Sequence, residues 1–128
     1  MTKEQKELLF ADLCARLPHH VRLKVWLKDG TTEEGFLDLE HNYVDVLRDA
    51  FYYNKIKDIK LYLRSLSSMT KEEKKEFDKF FPLLPRDLTP PHIALQMFDW
   101  LNKNHFDYRG LIPKGLAIEV TKENSPYK

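Results

Sequence analysis

"VRLKVWLKDGTTEEGFL", residues 21–37, is the stretch on which the fold turns. Val21, Leu23, Val25 and Leu27 alternate with Arg22, Lys24 and Trp26, the period of a strand with one face on a core and the other outward. Lys28-Asp29-Gly30-Thr31 then supplies the Asp-Gly turn chemistry that joins antiparallel strands. The period resumes in "TEEGFLDLE", pauses at His41-Asn42, and continues through "YVDVL" and "FYY". It ends in "IKLYLRSL", where Ile59, Leu61 and Leu63 alternate with Lys60, Tyr62 and Arg64. Residues 20–66 therefore predict an antiparallel meander of roughly four or five short strands, a small sheet or partial barrel.

Helical spacing flanks this region on both sides. From Lys3 to Leu17 the residues Leu9, Leu13 and Leu17 recur every fourth position, with Leu8 and Phe10 widening the stripe, and Pro18 stops the helix. This helix is expected to pack across an open face or end of the sheet. Thr70 with Glu73 has the spacing of a capping box and predicts a second helix running to about Phe81. "PLLPRDL" follows as an extended connector; Thr89 and Pro90 then open a third helix, with Ile93, Met97 and Leu101 along one face, ending at 102–104. Gly110, Pro113 and Gly115 break the remainder into short pieces, "GLIPKGLAIEV" reading as a helical turn or a final short strand, and the polar tail "TKENSPYK" is expected to fray. The fold class is α+β in one domain over 1–128, with helix and sheet in 1–66 and a helical part in 67–128.

Composition narrows the function classes. The 128 residues are 42% hydrophobic, enough for a continuous core, and 21 Lys and Arg nearly cancel 20 Asp and Glu. No global field then calls for a polyanion or an anionic membrane, so any electrostatic role is local. A lone cysteine, Cys14, fits a reducing compartment and a cytoplasmic location, and its place between Leu13 and Leu17 predicts a buried, inert thiol. No signal-peptide core or long apolar span occurs, so no membrane partner is expected.

Two stretches carry candidate chemistry. In "HFDYRG", an extended chain would project His105 and Asp107 to one face as a proton-transfer pair, with Arg109 free to grip a carboxylate or phosphate. The structural alternative has Phe106 and Tyr108 anchoring the helix exit, Asp107 and Arg109 pairing locally, and Gly110 at a positive backbone angle. His105, Asp107, Tyr108 and Arg109 thus read first as a lock, then as an interaction surface. The second stretch, 51–64, sets Lys55, Lys57, Lys60 and Arg64 among Phe51, Tyr52, Tyr53 and Tyr62, the mixture a single-strand binder uses on phosphates and bases. It is equally the solvated face of an alternating strand, beside a strongly acidic hairpin. His19, His20, His41, His92 and His105 show no metal-ligand spacing, and no phosphate loop, nucleophile elbow or dinucleotide fingerprint occurs, so no cofactor is expected.

"LRSLSSMTKEEKKEF" at 63–77 and "DWLNKNHFDYRGLIPKGLAIE" at 99–119 resemble a group of short proteins of gut Bacteroidetes and their phages or mobile elements. That resemblance implies a bacterial or phage-borne accessory protein and supplies no activity. "VRLKVWLKDGTTEEGFLDLEHNYVDVLRDA" at 21–50 resembles the first half of an Sm-like barrel, with Gly35 at the bending position and Glu40-His41-Asn42 at the loop, but the second signature of that family, a short strand pair with an Arg-Gly dipeptide in its loop, is not evident after Asp58. Three functional readings result. First comes a non-enzymatic accessory protein acting through protein contacts, with another protein or a second copy as partner. Second is a small single-stranded nucleic-acid binder using Lys55, Lys57, Lys60, Tyr62 and Arg64; third is an acid-base enzyme centred on His105 and Asp107.

Overall fold

The computed structural model describes residues 2–37, 56–80 and 91–127. The strand expectations on "YVDVL" and "FYY", the connector "PLLPRDL", the Thr89-Pro90 cap and Lys55 lie outside the described residues.

Helix α1 (Lys3–Arg16) begins in a reciprocal cap, with Thr2 Oγ1 accepting from the Gln5 amide and Gln5 Oε1 accepting from that of Thr2. Its buried face is Leu9, Asp12, Leu13 and Arg16, one stripe at helical spacing. Cys14 corrects the sequence expectation, because it is exposed: one position beyond Leu13, it turns about 100° away from that stripe. Pro18 converts the helix end to a single 3-10 turn, Leu17–His19, and His20 reverses the chain at φ 52°.

Strand β1 (Val21–Leu27) pairs antiparallel with β2 (Thr32–Leu37), Leu23 opposite Gly35, and antiparallel with β3 (Ile56–Leu63), Leu23 opposite Leu61. The hairpin turn works as its residues demand: Gly30 has φ 91°, and Asp29 Oδ1 accepts from both the amide and the hydroxyl of Thr31. One face of the sheet, with Val21, Leu23, Val25, Leu37, Ile59, Leu61 and Leu63, is buried against Leu9 and Leu13 of α1. Each fully buried leucine contributes about 1.5–3 kcal/mol over an exposed one, so this layer dominates the fold.

The sheet has the order β2-β1-β3-β4: the antiparallel pairing expected within 20–66 holds for β1, β2 and β3, and a fourth strand from 117–119 makes the whole sheet mixed. Strand β4 (Ala117–Glu119) runs parallel to β3, Leu61 opposite Ala117. A parallel neighbour needs a long crossover, and the helical segment between the two strands supplies it. Among the described residues the sheet is open, with β2 and β4 at its edges. Within that crossover, α2 (Lys71–Asp78) carries the predicted capping box between Thr70 and Glu73 but ends before Phe81. No residue of α2 is buried; Trp100 of α3 (Pro91–Lys103) holds it, donating to Glu76 and lying 5.8 Å from the Phe77 ring. No helix among the described residues is long and apolar enough to cross a membrane.

Candidate functional site

The span 102–112 begins where α3 stops. The Phe106 amide donates to the Leu101 carbonyl and the His105 amide to that of Asn102, the paired bonds of a Schellman termination. That motif needs a left-handed residue at His105, whose φ is 63°. Glycine is the usual occupant, so the histidine costs about 1–2 kcal/mol of local strain. Phe106 then turns back to stack on Trp100 at 5.7 Å, the apolar contact that accompanies the motif.

The left-handed turn also corrects the expected catalytic pair. Because 105 is not extended, His105 and Asp107 do not share a face as a strand would require. Both Asp107 carboxylate oxygens accept backbone amides, from Leu111 and Ile112, each at 2.9 Å. His105 instead lies flat on Tyr127, ring centres 3.8 Å apart and planes 10° from parallel. Its Nδ1 is buried with no hydrogen-bond partner among the described residues. Burial, and then the charge of Arg16, depress the imidazole to a pKa of about 4.

Around this turn the chain is tied in four directions. The Arg64 amide donates to the His105 carbonyl and the Asp107 amide to that of Arg64, so Phe106 forms a bridge at the end of β3. Arg64 lies over the Phe106 ring at 4.3 Å and grips Glu73 with both Nη atoms, at 2.7 and 2.6 Å. That grip holds the Glu73 carboxyl below its ordinary range. From α1, fully buried Arg16 donates to the Phe106 carbonyl and, at 2.7 Å, to Asp12. Arg109 meets the other Asp12 oxygen at 3.0 Å and the Tyr108 hydroxyl at 2.9 Å, while Tyr108 donates to Asn102. One buried carboxylate thus serves two guanidiniums, an arrangement in which removing either side strands a charge. His19 adds a bond to Asp99 of α3 at 3.0 Å.

The chain end closes the group. The register that sets Leu23 opposite Leu61 sets Arg22 opposite Tyr62, yet these two do not bond directly. The Tyr127 hydroxyl accepts from the Arg22 amide and donates to the Tyr62 carbonyl, filling the gap. Burial pushes that hydroxyl's pKa well up, and the tail is fastened instead of frayed.

The outer face of the sheet is the other candidate. Lys24 and Lys60 face each other across β1 and β3, and both ammonium groups approach the ring of Trp26, Lys24 Nζ at 5.3 Å and Lys60 Nζ at 5.8 Å. Beside them Arg22 covers the Phe36 ring at 4.8 Å, and Tyr62 donates to Glu34. Burial and then this Glu34 bond push the Tyr62 hydroxyl up to about 12. Of the five residues singled out for nucleic acid, Lys60 and Tyr62 stand on this face, and Arg64 is turned to Glu73 and Phe106. Lys57 is exposed at the start of β3, on the opposite alternation, and Lys55 lies outside the described residues. Sequence reasoning missed Arg22, Lys24, Trp26 and Phe36 as their partners; cross-strand pairing of the alternating positions was the signal. Comparison with protein-family models, curated proteins and solved structures finds no match.

Proposed function

We propose that this protein works by binding, and that the outer face of its sheet takes a single-stranded nucleic acid. The observation that carries the reading is Trp26 beside the cross-strand pair of Lys24 and Lys60. A flat indole stacks on any base, and the ammonium pair beside it meets the adjoining phosphates. Neither lysine meets a carboxylate among the described residues, whereas the acids of the same face are engaged: Glu34 by Tyr62 and Arg22, Asp58 by the Ile59 amide. The groups of the proton-transfer alternative are committed elsewhere, Asp107 to two backbone amides and Arg109 to Asp12.

The test is fluorescence anisotropy of labelled single-stranded RNA and DNA at low and moderate salt. Micromolar binding that weakens with salt is expected, and K24Q/K60Q should flatten the logarithmic salt slope by about 1.4, the share of two phosphate contacts on a single strand. Trp26→Ala should remove ~1–3 kcal/mol, the worth of one stacked base. A flat titration at both salts overturns the reading.

A second reading, an accessory protein of bacterial or phage origin acting through protein contacts, rests on α3. Leu95 is 67% and Phe98 41% exposed there, large apolar side chains on a helix surface.

A further inference from the structure

An open groove of about 660 Å³ lies between the end of α3 and the segment after β4, at the foot of the His105–Tyr127 stack. Arg64, Lys103 and Lys122 line it together with Ser68, Thr121 and Ser125, and no carboxylate does. The charge of Arg64 is spent on Glu73, so the positive field comes from the two lysines, neither of which pairs with an acid among the described residues. The hydroxyls divide by what they already do. Ser68 gives its proton to the Ser65 carbonyl. Thr121 Oγ1 and Ser125 Oγ only accept, from the Asn124 and Tyr127 amides, which leaves both hydroxyl protons uncommitted.

Two ammonium groups and two spare hydroxyl donors around an acid-free groove select an anion. The two ammonium charges exceed the single charge of a carboxylate and come close to the roughly −1.5 to −2 of a phosphomonoester, and a strand offers successive phosphates to the same pair. We propose that this groove is a binding site for a phosphate group, carried either by a small phosphomonoester or by a nucleic-acid strand. The site stands independently of the sheet face, because it uses none of Lys24, Trp26 or Lys60.

The test is an amide-resolved NMR titration of the full chain at constant ionic strength. The probes are inorganic phosphate, adenosine monophosphate and a short unphosphorylated oligothymidylate. Saturable shifts are expected at residues 103–105 and 121–125, weakened roughly tenfold for each lysine replaced in K103Q and K122Q, the scale of one charge-assisted hydrogen bond. Both lysines are exposed, so an otherwise unchanged spectrum certifies the fold of the variants. Shifts with phosphate or the mononucleotide identify a free phosphomonoester as the source; shifts with the oligonucleotide alone identify a strand phosphate. K24Q/K60Q leaves the groove shifts in place and so separates the two sites. If no probe produces saturable shifts there, or K103Q/K122Q binds as the wild type does, the proposal fails.

Discussion

At His105 a single residue sets two preferences against each other. Its φ of 63° is the conformation a Schellman termination requires and a β-carbon resists, while its ring gains a parallel stack on Tyr127. The two effects separate by substitution. His105→Ala loses the stack and keeps the strained backbone; His105→Gly loses the stack and removes the strain. The glycine variant should therefore be the more stable by about 1 kcal/mol in urea denaturation, and equal stabilities would show that 105 is not left-handed in solution. How far such residues were legible depends on whether their type announces the geometry. Gly110 does, and it sits at φ 75°; His105 does not, because the need for a left-handed residue arises only where α3 stops. Asp12 and Arg16 were readable in principle, being four apart on either side of Leu13 in the apolar stripe. A rule that sends charges outward hides them, and only the distant partners Phe106 and Arg109 make their burial tolerable.

Among the elements, those specified locally were the legible ones. The hairpin of β1 and β2 follows from a period of two and an Asp-Gly turn, and α2 starts at its capping box, so neighbouring residues suffice for both. Strand β4 does not: three residues long, it exists because β3 offers an edge, and its parallel sense depends on the whole crossover. The tail was misread for the same reason, since nothing near Tyr127 in sequence discloses that its hydroxyl bridges β1 and β3. This bridge is testable. Tyr127→Phe keeps the ring on His105 but leaves the Arg22 amide and the Tyr62 carbonyl without their partner. It should cost about 1–3 kcal/mol and speed hydrogen exchange at the Arg22 amide. Unchanged stability and exchange would mean that the two strands close directly, and that the hydroxyl is no part of the sheet.

Across the whole molecule, segments far apart in sequence converge on 105–109: α1 through Asp12 and Arg16, β3 through Arg64, α3 through its terminal turn, and the chain end through Tyr127. Stability should then report the protonation of the one imidazole at their junction. In the unfolded chain a histidine takes its proton near pH 6.5; in the fold, burial and Arg16 hold His105 to about 4. Between those values the unfolded state binds the extra proton, so stability rises with pH across that window and is lost as pH falls through it. The depressed Glu73 carboxyl works in the same direction but at lower pH, its contribution being present above the ordinary carboxylate range and lost in acid. His105→Asn isolates the histidine, because asparagine tolerates the left-handed turn and does not titrate. Denaturation midpoints of wild type and variant measured from pH 7 to pH 4 should converge as the pH falls, with the variant's slope the shallower. Parallel slopes would mean that the imidazole takes its proton equally well in both states, which a half-buried ring under the charge of Arg16 and stacked on Tyr127 does not do.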